Sequence, residues 1–184
     1  MEETAARTSD HLETGIPQDE RCETEMRVYR FLTELGIPFE RTDHPAAATM
    51  EDCLETDRVL GCPMCKNLFL CNRQKTVFYL LLLRGEKPFV TKEISAQLGV
   101  ARLSFADAEH MQAYLGLQPG SVSVMGLMND TGNRVRLLID SDLAGDEYIG
   151  CHPCVNTSSL RIRVKDLLEV FLPAVGHEPT LIKV

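Results

Sequence analysis

The sequence predicts a mixed α+β fold, a single α/β domain with a mixed, largely antiparallel sheet flanked by helices. Three observations lead there. At 184 residues the chain suits one domain with short additions. Apolar residues make up 44% and charged residues 25%, the balance of a globular protein with a real core. Helical periodicity alternates along the chain with short apolar runs that arrive in pairs, so strands are expected to meet as hairpins.

Residues 1–20 are polar, contain Gly15 and Pro17 and show no periodicity, which predicts an acidic disordered tail ahead of a folded body over 21–184. Val28, Phe31, Leu32 and Leu35 fall at helical spacing, with Gly36 as the stop. Phe39 to Asp43 is a short strand ending at His44-Pro45. A second helix is expected from Thr49, as cap, to Leu60, with Gly61 as terminator. Asn67–Cys71 and Thr76–Leu83 read as a buried hairpin around a polar turn. Thr91–Leu98 and Ser104–Leu115 read as capped helices closed by Gly99 and Gly116. Gln118-Pro119-Gly120 is a turn, and Ser121–Met128 with Val135–Asp140 reads as a second hairpin around Asn129–Asn133. Ser158–Val164 is a strand, Lys165–Leu172 a helix and Thr180–Val184 a last strand.

Charge narrows the function classes. The formal charge is -8, but residues 1–25 hold -6 of it, leaving -2 for the remainder. A nearly neutral body can hold one end of a nucleic acid locally and cannot coat a duplex. The run from Val77 to Leu83 is too short to span a bilayer, and Glu2 and Glu3 begin no secretory signal, so a cytoplasmic address without a membrane partner is expected. Seven cysteines then imply reduced thiols.

Lys66 enters an apolar strand, where a lysine is either partly desolvated and aimed at a ligand or simply snorkels from the strand end. Gly120-Ser121-Val122-Ser123 follows a Pro-Gly turn, and such a glycine lets backbone amides approach a carbonyl closely; an ordinary turn reads the same way. His152-Pro153 with Asn156-Thr157 is a polar loop feeding a strand, and His152 has no visible partner that would make it a general base. Gly-x-Ser-x-Gly, Walker-type, Gly-x-Gly-x-x-Gly and His-Glu-x-x-His patterns do not occur. From the residues alone the reading is a mixed α/β domain with a polar site.

Cys65-Lys66-Asn67-Leu68-Phe69-Leu70, then Pro119-Gly120-Ser121-Val122-Ser123 with Gly126-Leu127 and Asn129-Asp130, then His152-Pro153 and Asn156-Thr157, occur in an order and spacing that resemble the YbaK/ProX family of prolyl-tRNA editing domains. The resemblance spans Tyr29 to Leu172. It implies a curved sheet and an aminoacyl-tRNA deacylase acting in trans, closest to the branch that clears Ala-tRNA(Pro). Cys-tRNA(Pro), or a tRNA- or synthetase-binding module without catalysis, is the alternative. It further implies Lys66 as the essential residue at the ester end of the charged tRNA. Asn67, Gly120, Ser121, Val122, His152 and Asn156 would line the substrate site, and Arg102 would hold the RNA. Gly120 matches the glycine of the family's Gly-x-x-x-Pro loop, whose proline position here is Val124. The implied partners are the acceptor end of mischarged tRNA(Pro) and prolyl-tRNA synthetase, with no DNA, no cofactor and no metal. Cys62/Cys65 and Cys151/Cys154 are two C-x₂-C pairs, open to reading as buried thiols, a zinc site or a redox pair.

Overall fold

The computed structural model describes residues 8–46 and 50–184, with only the backbone of 50–53. In chain order the elements are β1 (Glu13–Thr14), α1 (Glu23–Glu34), β2 (Glu40–Asp43), α2 (Met50–Leu60), β3 (Cys65–Cys71), β4 (Phe78–Arg84), α3 (Thr91–Leu98) and β5 (Ser104–Phe105). They continue with α4 (Ala108–Leu115), a 3₁₀ turn (Val124–Asn129), β6 (Val135–Asp140), α5 (Ser141–Ala144), β7 (Tyr148–Cys151) and β8 (Ser158–Arg163). The chain ends in α6 (Val164–Asp166), a π turn (Leu167–Phe171), α7 (Leu172–Ala174) and β9 (Pro179–Ile182).

The fold is mixed α/β, with the strands divided between two sheets. One is antiparallel in the order β1-β2-β8-β7; the other is mixed, in the order β5-β3-β4-β6-β9. β3 and β4 form the expected hairpin, in register from Cys65 opposite Arg84 to Cys71 opposite Phe78. β4 continues into a parallel pairing with β6. It is therefore covered on both faces, which is why Phe78 to Leu83 are all buried and the run is continuously apolar instead of alternating. The main core lies between the sheets, where Phe69, Leu80, Leu82, Leu137, Ile149, Leu160 and Ile162 meet α1 and the C-terminal helical run. Leu70, Tyr79, Leu81, Leu83 and Leu138 point to the other face of the five-stranded sheet and are covered by Ile94, Leu103 and Ile182. Among the described residues no helix is long and apolar enough to cross a membrane.

The expectation of a disordered tail fails for residues 8–20. β1 pairs with β2, the Ser9 amide donates to the Asp43 carbonyl at 2.8 Å, and Thr42 Oγ1 donates to the Ser9 carbonyl at 3.1 Å. Charge supplies what hydrophobicity lacks: Glu13 accepts from Arg41, whose side chain is nearly buried. The Thr49 cap lies outside the described residues.

Two further expectations are corrected. Ser104 and Phe105 are not the start of a helix but a strand paired with Leu70 and Cys71; the helix begins only after Asp107, whose carboxylate caps the His110 amide at 2.9 Å. Ser121–Met128, alternating polar and apolar as far as Val124, forms no strand. Ser123 accepts from the Met125 amide at 3.2 Å and starts the 3₁₀ turn, so β6 finds its partner in β4.

Candidate active site

The two sheets join at one parallel bridge, Met64 to Gly150, with the Gly150 amide donating to the Pro63 carbonyl at 3.1 Å. Glycine eases this approach, since any side chain would have to displace its neighbours. A β-carbon on residue 150 would lie 2.7 Å from Met64 Sδ and 3.1 Å from Leu60 Cδ1. One residue past the bridge on each strand, Cys65 and Cys151 turn into the core. Two residues past it stand Lys66 and His152, which strand alternation places on the other side of the sheets.

The Lys66 ammonium donates to the Lys87 carbonyl at 2.8 Å, and the side chain is half-buried. Asn67, its neighbour, leaves the strand on the opposite face. Its amide nitrogen reaches Cys65 O (3.2 Å) and Cys65 Sγ (3.3 Å), while its Oδ1 is buried without a partner. The pleat thus separates two residues that their motif groups together.

Gly120 has φ of +90°, in the left-handed region that favours glycine. The turn is closed by Ser121, whose amide and hydroxyl donate to the Gln118 carbonyl at 3.1 and 2.9 Å. Val122 packs on the main core. Val124, at the position of the family's proline, is fully buried and is the first residue of the 3₁₀ turn. That is where proline suits a helical start, and here burial and the Ser123 cap fix the backbone instead. The loop reaches the other half of the site twice. Ser123 Oγ donates to the His152 carbonyl at 2.5 Å, and Asn156 Nδ2 lies 3.9 Å from where a Gly120 β-carbon would be.

His152 Nδ1 lies 3.0 Å from the Ser158 carbonyl, a contact that requires Nδ1–H and leaves Nε2 as an acceptor. Burial lowers its pKa, with nearby His44 lowering it further and the Ser158 carbonyl only partly opposing them. The ring is therefore neutral near pH 7. His44, 6.1 Å away ring to ring, bonds Ser159 Oγ through Nε2 at 2.8 Å and the Pro45 carbonyl through Nδ1 at 2.9 Å. Sequence reasoning misses His44 and Ser159, and names Ser123 without its bond to His152. A signal exists: His-Pro occurs twice, at 44–45 and 152–153. A cavity of about 140 Å³ opens beside His44, between Ser9, Thr42, Thr56 and Val59.

The structure thus brings together Gly120, Ser121, His152 and Asn156, sets Lys66 at the same junction with its ammonium turned to Lys87, and leaves Arg102 elsewhere. Arg102 is exposed, its Nε 3.4 Å from Thr91 Oγ1 at the start of α3. The cysteines of the two C-x₂-C pairs are buried and free. Burial pushes the Cys62 thiol up to about 11 and Cys65 and Cys154 to about 12, and Cys151 rises well above its ordinary value. Among the described residues no group of three or more His, Cys, Asp or Glu side chains is placed to hold a metal ion.

An amide-lined turn, a neutral imidazole acceptor and a nearby lysine can together hold a small polar ligand by its carbonyl, its amine and its anionic end. The chain matches the family of the aminoacyl-tRNA editing domain over residues 44–170. It is 32% identical over 168 residues to the prolyl-tRNA synthetase associated domain-containing protein 1 of Danio rerio, covering 90% of this chain and 88% of that one. It is 29% identical over 139 residues to the prolyl-tRNA editing protein ProX of Acetoanaerobium sticklandii, covering 76% and 85%. A solved structure described as a candidate trans-editing enzyme for prolyl-tRNA synthetase superimposes with a TM-score of 0.67 over 90% of this chain and 99% of that one, at 18% identity, a likeness of fold.

Proposed function

Since this chain belongs to the aminoacyl-tRNA editing domain family, we propose that it hydrolyses mischarged aminoacyl-tRNA in trans, with Ala-tRNA(Pro) as its substrate, in the cytoplasm. The observation that carries the reading is the joining of the Gly120 turn to the His152 loop through Ser123. In this reading the amides beyond Ser121, whose own amide closes the turn on the Gln118 carbonyl, face the ester carbonyl, where negative charge develops as water adds. Lys66 leaves the Lys87 carbonyl and takes the terminal ribose or phosphate. The neutral Nε2 of His152 accepts from the substrate's ammonium, with Asn156 beside Gly120 fixing the pocket and Asn67 supporting the strand from its other face. Water adds to the carbonyl carbon, the ester C–O bond breaks, and the ribose hydroxyl leaves with a proton. An aminoacyl ester is already activated, so positioning and oxyanion stabilisation suffice. Arg102 contributes a contact to the RNA outside the pocket.

The selection is by size. A synthetase cannot firmly exclude an amino acid smaller than its own, because the missing apolar contacts are worth only ~1–3 kcal/mol. A second, tighter pocket that admits alanine and excludes proline completes the discrimination. A second reading is a module that binds tRNA or synthetase without catalysis, favoured by the Lys66 ammonium being engaged by Lys87. A deacylation panel of Ala-, Cys-, Ser- and Pro-charged tRNA(Pro) decides. Hydrolysis of Ala-tRNA(Pro) with Pro-tRNA(Pro) spared supports the proposal, hydrolysis of the Cys ester alone moves the substrate, and no hydrolysis leaves the binding module.

A further inference from the structure

The outer face of the four-stranded sheet is only half covered. α2 and the turn that follows it lie over the rows of Thr42, Ser159 and Gly150. Past them the sheet is open, and a groove of about 900 Å³ runs along Thr14, Ile37, Glu40, Tyr148, Arg161 and Arg163. Leu160 and Ile162 point into the core, so Arg161 and Arg163 both stand on this outer face, opposite Gly150 and Tyr148 in the β7–β8 ladder. The Arg161 guanidinium lies 4.1 Å from the Tyr148 ring centroid and that of Arg163 lies 5.7 Å from it. One aromatic side chain thus carries two arginines.

Their donors are poorly used. Among the described residues Arg161 meets a single carboxylate, Glu40, at 3.5 Å, and its Nε has no hydrogen-bond partner. Arg163 is exposed and makes no ion pair among the described residues. A guanidinium offers five N–H groups in a plane that matches phosphate. Glu40 and Asp166 also line the groove, so attraction comes from the two stacked arginines and not from a broad positive field.

The geometry points to this groove as the seat of the phosphodiester backbone of an RNA's single-stranded 3′ end. The inference rests on the editing function proposed above. β7 runs from Tyr148 to Cys151 and is followed by His152, about 13 Å away at strand spacing. Between them lie the end of α2 and the Leu60–Met64 turn, with Gly61 and Pro63 exposed on it. A strand seated on the arginines therefore has its end within reach of His152 and Lys66. That requirement is met by an RNA bearing an ester at its 3′ terminus, and an acidic peptide has no such need to end there.

The test uses the full chain and a fluorescent tRNA(Pro) acceptor minihelix, with and without its unpaired 3′ nucleotides, titrated by anisotropy at several salt concentrations. The expected result is weaker binding by about fivefold for Arg163→Ala and more for Arg161→Ala with Arg163→Ala. The salt slope should fall by about 0.7 for each phosphate that the variant no longer neutralises. Arg163→Lys should recover part of the affinity, and the blunt minihelix should not distinguish the variants. Equal affinity and slope for wild type and the double variant overturn the proposal, as does a wild type that binds no minihelix. A polyglutamate peptide captured by the same arginines, with RNA binding unmoved, overturns it in favour of a protein partner. The editing function stands or falls separately, on whether the wild type hydrolyses Ala-tRNA(Pro).

Discussion

Arg21 and Asp43, 22 residues apart, meet in a two-pronged ion pair at 2.7 and 2.6 Å, with both side chains nearly buried. Arg21 also donates to Glu25 at 2.9 Å; Glu25 accepts from the Tyr29 hydroxyl at 2.7 Å, and that hydroxyl lies 3.0 Å from Ser158 Oγ. The pair anchors the segment before α1 to the last residue of β2, directly before His44. Burial alone would raise the Asp43 pKa, but the hydrogen bonds and charge of Arg21, with Ser158 and Arg41, outweigh it and hold the carboxyl below its ordinary range.

Asp43→Asn takes from the buried Arg21 its two-pronged counter-charge, leaving it Glu25 and Asp19, and should cost about 3 kcal/mol, the lower end for a broken buried pair. At about 2–4 °C per kcal/mol for a chain of this size, the loss is roughly 10 °C in Tm at pH 7. The sign of the pH dependence follows from the lowered pKa. The contribution is present above the unfolded-state value near 3.9 and lost as pH falls through the lower folded value. The difference in Tm between wild type and variant should therefore shrink under acid conditions, and a gap independent of pH would refute the ion-pair account.

Removing residues 1–16 takes away β1 and Glu13, one of the two carboxylates that Arg41 meets. Such a truncation should melt several degrees lower, since a hydrogen bond to a charged group is worth about 1.5–3 kcal/mol. Calorimetry of the truncated chain checks this. An unchanged Tm would mean that these contacts carry no stability.

Lys66→Ala should lower the rate of Ala-tRNA(Pro) hydrolysis by about 100-fold or more, in the range for loss of one group that stabilises the reacting centre. Its bond to the Lys87 carbonyl is worth about 1 kcal/mol, so the fold should survive. A folded variant with the rate of the wild type removes Lys66 from the site.

On the proposed function, His152 should make the reaction sensitive to acid. Its lowered pKa keeps Nε2 free as an acceptor at neutral pH, and the rate should fall along an acidic limb centred below the ordinary imidazole value of about 6.5. His152→Gln should erase that limb and relax discrimination between alanine and larger esters. If the limb persists in His152→Gln, another group titrates.

Arg102→Ala should raise KM for tRNA about fivefold while hydrolysis of a minimal aminoacyl-adenosine keeps its rate. Equal loss on both substrates would place Arg102 in the pocket or in the fold.

Much of the fold is legible in the residues. α1 announces itself because Val28 and Leu32 repeat at helical spacing, and the β3–β4 hairpin because its apolar runs flank a polar turn. The misreadings have separate causes. Ser121 to Val124 has the period of a strand, but the Ser123 hydroxyl caps a 3₁₀ turn that periodicity does not reveal. β7 is short and interrupted by Gly150, whose bareness serves the contact with Met64 and weakens its strand signal. The N-terminal segment is held by buried ion pairs, and charge reads as solvated from sequence alone. At the site, Lys66, Gly120 and His152 can be named from their motifs. Their arrangement cannot, because the sheet junction depends on Met64 and Gly150, 86 positions apart.

The parallel pairing of β4 with β6 has a kinetic corollary. Its two strands are separated by everything from α3 to the 3₁₀ turn, so a chain emerging from the ribosome cannot close the central sheet until that crossover has been made. The Gly120 turn lies inside the crossover, while His152 is synthesised after it. Until β6 docks, β4 has an unpaired edge of six buried-type residues, a template for intermolecular pairing. Substitutions that weaken β6 should thus show themselves first as aggregation during synthesis, before any change in the melting of the finished protein.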